Sequence, residues 1–334
     1  MPASDPFAKK SFFPTLAVLL MSLLPTVFTV ARAQTVSPVE YNADQLVKMA
    51  VVGRIAEARL GNPPYRVGAD GSIRVVPATG SITFNFRTGD SAVNLAGDHV
   101  EPAVTLYNPG STNDRSSGES RGFNVLSCIG NSVRVLTGDA QGEWGYVIGK
   151  HGGSEHVMVD FKDPAVMERM TPGDRMQVYA HGVGMELLNA GDVKAMSMSP
   201  HLMEALTAAG MGITPGGKLR IGVALEVPAK IMGSGLGQSH AYSGDYDIQL
   251  FDQQVVEKYR LDQLRFGDIV AIIDADHSYG RIFRTGAVTI GVITHSGSII
   301  AGHGPGVTTL FTSASGNIET VIDPRANLKY LLLE

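Results

Sequence analysis

Glycine limits what this chain can fold into more than any helical or strand periodicity does. Of 334 residues, 39 are glycine. They divide the apolar stretches into short runs rich in Val, Ile and Thr, too short for long helices and well suited to strands joined by tight turns. Two segments show the unit. Pro172-Gly173-Asp174 leads into Arg175 to Gly182, and Phe266-Gly267-Asp268 leads into Ile269 to Asp274. The aspartate accepts hydrogen bonds from the turn backbone and the glycine supplies unusual dihedrals, which marks a tight turn into a barrel strand. Gly138-Asp139 is a weaker copy. The dissimilar surroundings of the copies indicate shared turn chemistry and not a solenoid. The expected fold is therefore a β-dominated α+β protein with a few helices.

Three helical signals interrupt this pattern. Residues 44–60 carry Leu46, Met49, Val52 and Ile55 at helical spacing and stop at Gly61-Asn62-Pro63-Pro64, which predicts an amphipathic helix. Pro164 to Met170 reads as one or two turns. Ser199-Pro200 followed by residues to Ala209 reads as N-cap, first-turn proline and helix. The polar stretch Asn108 to Gly122 has the composition of a surface loop, inert or a lid. Val125 to Ile129 reads as a strand holding Cys128, the sole cysteine, which excludes an intrachain disulfide and suits a small buried side chain. A boundary near Thr214-Pro215-Gly216-Gly217 would separate two β-rich parts, 34–213 and 214–334.

The first 33 residues read as a secretory signal peptide: Lys9 and Lys10, a mostly apolar run from Phe12 to Val30, then Ala31-Arg32-Ala33 as a small-x-small cleavage site. A mature chain from residue 34 would be periplasmic or secreted, with no stable membrane insertion after cleavage. Cleavage removes three cationic side chains against one anionic, moving the formal charge from −5 to about −7. An acidic chain without a Lys/Arg run carries no electrostatic footprint for nucleic acid. A small-molecule partner is expected, and a homo-oligomer is compatible with the sequence.

The chemistry gathers around histidine. Six of nine histidines fall in five short segments flanked by Gly, Asp or Glu: Gly97-Asp98-His99-Val100-Glu101, Lys150-His151-Gly152-Gly153-Ser154-Glu155-His156, Gly237-Gln238-Ser239-His240, Asp274-Ala275-Asp276-His277 and Gly302-His303-Gly304-Pro305-Gly306. Imidazole with carboxylate is a common ligand set for divalent metals and a common acid–base pair near neutral pH. As a strand, residues 98–101 would place His99 and Glu101 on one face. Lys150 to His156 reads as strand–turn–strand, with His151 the better candidate of its two histidines. His99, Glu101, His151 and His303 are the expected ligands of a divalent metal, Zn²⁺ or Mn²⁺. His277, Asp276, Glu101 and Arg281 are the candidate catalytic groups. Gly302, Gly304 and Gly306 could bind an oxyanion through backbone N–H groups, and Arg284 an anionic substrate group. His156 and Asp247 are weaker members, and Asp245 could add a carboxylate. His181, His201 and His295 have blander surroundings and are left out. The ordinary reading of Arg281 and Arg284 is surface salt bridging.

No H-E-x-x-H helix, EF-hand loop or P-loop ending is present, which argues against zincin, EF-hand and nucleotide-triphosphate readings. Four segments, Gly97 to Pro102, Gly149 to Val157, Asp274 to Arg281 and Gly302 to Thr308, together resemble the bacterial and archaeal domain-of-unknown-function 4438 family over about residues 45–330. That resemblance implies a RIFT-related β-barrel with small glycine-rich subdomains, and it brings no activity. Residue chemistry favours a metal-dependent hydrolase of a small polar amide, cyclic amide or ester. A metal-assisted or cofactorless lyase is the nearest alternative, and a periplasmic binding or structural metal protein the non-enzymatic one.

Overall fold

A computed structural model describes residues 36–60, 63–110 and 116–334. The expected leader, 1–33, lies outside them. Six antiparallel strands close a barrel. Lys48–Ile55 pairs with Arg175–His181, which pairs in turn with Ser132–Val135, Trp144–His151, His156–Phe161 and Ala103–Tyr107, and the last returns to Lys48–Ile55. A two-residue strand, Ile82–Thr83, adds to Ala103–Tyr107 outside the ring. Alternation fills the interior: Met176, Val178 and Ala180 point inward while Arg175, Gln177 and Tyr179 do not. Burying each such apolar side chain contributes ~1.5–3 kcal/mol.

The helix expected over 44–60 does not form. Ala43–Gln45 makes one 3-10 turn and Lys48–Ile55 is a barrel strand. Val51, Val52 and Ile55 are β-branched, and pairing on both sides outweighs a helical spacing that local sequence alone suggested. Gly53 passes directly under Phe123, whose ring would stand 2.5 Å from any added Cβ. Phe123 belongs to a helix, Gly118–Leu126, where a surface loop was expected. Ser117 caps it by accepting from the Ser120 amide. Residues 111–115 of that expected loop lie outside the described residues. The helix also replaces the strand expected over 125–129, but Cys128 is buried as expected. The predicted turns at 164–170 and the helix after Ser199 are present as Pro164–Arg169 and Pro200–Ala208. Gln253–Tyr259, capped by Asp252, is a further helix.

A second sheet runs in the order Lys194–Ala195, Gly306–Ser313, Ile282–His295, Ile269–Asp276 and Leu225–Pro228. The Ile269–Asp276 strand is apolar on both faces. Ile269 and Ala271 join the core cluster that includes the barrel interior, while Val270 and Ile272 join a separate cluster with Tyr246, Ile248 and Phe266. The larger cluster contains residues from both sides of the boundary expected near residue 214, so that boundary does not separate two cores. Three further strands, Gly212–Ile213, Leu219–Val223 and Ile318–Ile322, form a small sheet.

The barrel meets the second sheet at the ends of two strands, and both carry a β-bulge just before that end. In Trp144–His151 the register shifts between Val147 and Gly149, and in Ile282–His295 between Ile293 and His295. Bulges re-aim side chains and stop regular pairing. Here they precede His151 and His295. Thr308 bonds the Lys150 backbone on both sides, accepting from its amide at 3.3 Å and donating to its carbonyl at 3.1 Å, which ties the two layers at this point.

Candidate metal centre

His151 and His295 end their strands with rings 4.3 Å apart between centroids. His99 approaches from a loop, its ring 5.6 Å from His151 and 5.0 Å from His295. The strand expected to carry His99 and Glu101 on one face is absent. His99 instead takes φ 53°, left-handed backbone that a side chain other than glycine rarely adopts. Its amide bonds Gly297 O, and Asp98 beside it is held by Ser298 and Ile299. His303 closes the group from the glycine-rich loop, its Nδ1 3.0 Å from His99 Nε2 and 3.0 Å from Asp247 Oδ2. Asp245 and Asp247, two apart in an extended segment, both face the cluster, and Tyr246 between them packs its ring against His277 at 5.3 Å.

Three of the four imidazoles are anchored from behind. His99 Nδ1 lies 3.2 Å from Asp98 Oδ2, His151 Nδ1 lies 2.5 Å from Glu101 Oε1, and His295 Nδ1 donates to Ser296 O at 2.9 Å. Tying one ring nitrogen to an oxygen acceptor fixes the tautomer and aims the other nitrogen forward. The forward atoms converge: His99, His151 and His295, then His99, Asp247 and His303, then Asp245, Asp247 and His295 form triads whose donor atoms lie within 4.8 Å of one another. Gly306 makes the closure sterically possible. A Cβ there would sit 2.1 Å from Asp245 Oδ2 and 2.3 Å from His295 Nε2.

Burial and charge act against each other throughout the cluster. Burial penalises a charged His99, but bonds to Asp247 and Asp98 overcome it and raise its pKa to about 9. Burial likewise opposes ionised Asp98, yet His99 and Ser298 hold it down at about 2. Asp245, Asp247 and Glu101 all stay below the usual carboxylate range despite burial, Asp245 through the charge of His295, Asp247 through hydrogen bonds to His303 and His99, and Glu101 through His156 and His151. These carboxylates are ionised at neutral pH, the state in which they ligate or back a metal-ligating histidine.

Both halves of the chain match family models, Domain of unknown function (DUF4438), N-terminal, over residues 65–204 and the C-terminal model over residues 209–332. The chain belongs to the DUF4438 family. The crystal structure of TM1086 shares its fold, with a TM-score of 0.81 and 42% identity over 89% of this chain and 100% of that one. No curated protein matches it.

Of the ligands expected from sequence, this DUF4438 chain brings together His99, His151 and His303. Glu101 stands one layer back. Its Oε1 bonds His151 and His156, and its Oε2 accepts from the Gly80 amide at 2.7 Å and Thr105 Oγ1 at 2.9 Å, so both oxygens are occupied by protein. His156 is bound to Glu101 and takes no place in the cluster. His295, set aside on sequence, is central to it, and Asp245 and Asp247 join it. The signal for the two aspartates was their i, i+2 spacing. For His295 it was its position at the end of a long apolar strand before Ser296-Gly297-Ser298. His181 and His201 lie elsewhere, His201 stacked on Tyr146.

His99, His151, His303, Asp245 and Asp247 line a pocket of about 480 Å3 together with Arg281, Gln238 and His240, and His295 is buried beneath it. Arg281 is 3% exposed, its Nη2 donates to Ser243 O at 3.0 Å, and its Nε has no hydrogen-bond partner. Burial lowers its pKa, and Asp245 and Asp247 pull it back up. Other expected residues are placed differently. His277 is not in the pocket lining. Its Nδ1 meets Thr309 Oγ1 at 2.7 Å, and burial with the Arg281 charge lowers its pKa to about 3, leaving it neutral. Asp276 pairs with Arg284 at 3.2 Å, and the Arg284 side chain is 55% exposed, which is the surface salt bridge that was the ordinary reading of this arginine. The glycine-rich loop does not offer an open set of amides: those of His303, Gly304 and Val307 bond Ile300 O, Asp247 and Tyr246 O. Gly304 serves close packing, since a Cβ there would stand 1.6 Å from Ile248 O. Gly302 contributes its carbonyl, which accepts from the Ser234 amide at 2.7 Å.

Proposed function

We propose that this chain is a divalent-metal-dependent hydrolase of a small polar amide, cyclic amide or ester that carries an anionic group. One observation carries the reading: His99 and His151, anchored from behind by Asp98 and Glu101, line an open pocket together with His303, Asp245 and Asp247, and His295 converges on them from beneath. A structural metal site closes its coordination with protein. A site on a pocket floor leaves room for water and substrate. A cation there, Zn²⁺ or Mn²⁺, supplies carbonyl polarisation and acidified water. The residues do the rest. Arg281, buried in the pocket wall, holds the anionic group of the substrate. Water adds its oxygen to the carbonyl carbon, the C–N or C–O bond breaks, and the water proton passes to the departing atom. His240, exposed at the pocket, is placed to carry that proton. Asp276 and His277, the catalytic candidates for hydrolysis and elimination alike, do not line the pocket, so neither reading draws on them.

The leader-like residues 1–33 support placing this activity outside the cytoplasm. The test is turnover of an amide, ester and lactone panel by metal-loaded protein in ¹⁸O-water. Hydrolysis places one solvent oxygen in the acid product, and chelation abolishes it. Product lacking solvent oxygen would replace this reading with elimination. Arg281→Met is expected to raise KM at least tenfold for anionic substrates and little for neutral ones.

A further inference from the structure

The donors on the pocket floor divide into overlapping triads, and two of these share a single residue. His99, Asp247 and His303 make one, and Asp245, Asp247 and His295 the other. Two ligands on one cation can stand no further apart than two bond lengths, ~4.0–4.4 Å for nitrogen and oxygen donors at ~2.0–2.2 Å. In the first triad the spacings are 3.0 Å from His303 Nδ1 to each partner and 3.8 Å from His99 Nε2 to Asp247 Oδ2. The two 3.0 Å spacings are edge lengths a coordination polyhedron takes, since such bonds give adjacent ligands ~2.8–3.6 Å apart in octahedral or tetrahedral geometry, and the 3.8 Å spacing stays within the two-bond limit. In the second triad it is the other oxygen, Asp247 Oδ1, that faces His295 Nε2, at 3.7 Å. Asp247 thus presents one oxygen to each triad.

A second observation comes from Asp245 and His295. Asp245 Oδ2 and His295 Nε2 are buried and pair with each other at 2.5 Å, outside regular hydrogen-bond geometry. With Nδ1 of His295 spent on Ser296 O, a neutral His295 offers its Nε2 lone pair beside that carboxylate oxygen, a donor pair that a cation can satisfy together. Charge points the same way. Asp98, Glu101, Asp245 and Asp247 surround the imidazoles with four carboxylates, against which stand Arg66, 3.5 Å from Asp98 at a partly exposed position, and the buried Arg281, whose charge acts on Asp245 and Asp247. The carboxylates outnumber the guanidinium groups, and a divalent ion offsets the excess.

We propose that the centre binds two divalent cations bridged by the Asp247 carboxylate, a reading that rests on the metal centre proposed above. His99, His303 and Asp247 Oδ2 hold the first, and His295, Asp245 and Asp247 Oδ1 the second. His151, within reach of both His99 and His295, flanks the pair. Two-metal sites place their ions ~3.5–4 Å apart, a spacing that clamps an attacking and a leaving oxygen together. Arg281 then faces two cations across the pocket, and an anionic group is what can lie between them.

The test is metal stoichiometry on the full chain, stripped with chelator, reloaded with Zn²⁺ and measured by native mass spectrometry with elemental analysis. Wild type is expected to take two ions per chain and Asp245→Asn one, with the folded spectrum unchanged. The Mn²⁺-loaded wild type should show an exchange-coupled two-spin signal in electron paramagnetic resonance, which needs no variant to fold. A wild type that saturates at one ion with an uncoupled signal overturns the two-cation centre and leaves the metal reading standing. Two ions retained in Asp245→Asn overturns the assignment of the second site. No ion bound overturns both.

Discussion

Two regions of this molecule read alike in sequence and differ in what their histidines face. In the cluster, the rear nitrogens of His99, His151 and His295 are spent on Asp98, Glu101 and Ser296 O, and their front nitrogens converge on one group of donors that includes Asp245 and Asp247. At the end of the Ile269–Asp276 strand, His277 spends Nδ1 on Thr309, while its Nε2 is buried without a partner and no carboxylate bonds the ring. Asp276, its neighbour in sequence, turns outward to Arg284. An Asp-His pair in sequence therefore says little until it is known which nitrogen is anchored and what the other meets. The same ring becomes a ligand in one setting and a neutral buried heterocycle in the other.

The largest expected effect separates the two regions outright. Asp247→Ala should weaken Zn²⁺ binding at least a hundredfold by calorimetry, because it removes a donor from two triads, whereas Asp276→Ala leaves affinity unchanged. Equal losses would erase the distinction. Next in size is stabilisation by metal. Zn²⁺ at a hundred times its Kd should add ~2.7 kcal/mol to wild-type stability for each site filled, read in thermal melts. Glu101→Gln should keep the fold and lower Zn²⁺ affinity about 10–100-fold, the effect of a group acting through the ligand it orients. An unchanged affinity would remove Glu101 from the centre.

How much of this was legible in sequence depends on the range of the interaction. The β-dominated fold could be read from turn chemistry, since Gly173-Asp174 and Gly267-Asp268 act on their immediate neighbours, and both precede strands. The strand Lys48–Ile55 could not, because its partners lie far off in sequence, Arg175–His181 more than a hundred residues away and Ala103–Tyr107 about fifty, and only pairing decides against the helix. His99, His151 and His303 were visible because glycines and acids flank them. His295 was hidden, since the bulge that aims it depends on its pairing with Gly306–Ser313. Glu101 was legible as a site residue, but its place behind His151 is a matter of three-dimensional distance.

The pH response sharpens the contrast at lower cost to the protein. His277 has its folded pKa lowered to about 3 from 6.5, by burial and then by Arg281. The unfolded chain binds the extra proton first, so stability is full above about pH 6.5 and falls as pH drops toward 3, by up to ~1.4 kcal/mol per pH unit. His277→Gln should flatten that slope in denaturant melts of metal-free protein, and an unchanged slope would place the titration elsewhere. The smallest effect belongs to Arg284→Ala. With Arg284 more than half exposed, losing its pair with Asp276 should cost ~0.2–1 kcal/mol and leave metal binding alone.

The central claim, that four histidines and two aspartates form a metal centre, is tested most directly by X-ray absorption at the zinc edge of the Zn²⁺-loaded full chain. The account predicts a nitrogen and oxygen shell at ~2.0–2.2 Å with outer-shell imidazole scattering, reduced in His295→Ala, and no sulfur shell at ~2.3 Å. A spectrum of hydrated zinc without imidazole scattering, or one unchanged in His295→Ala, would contradict it.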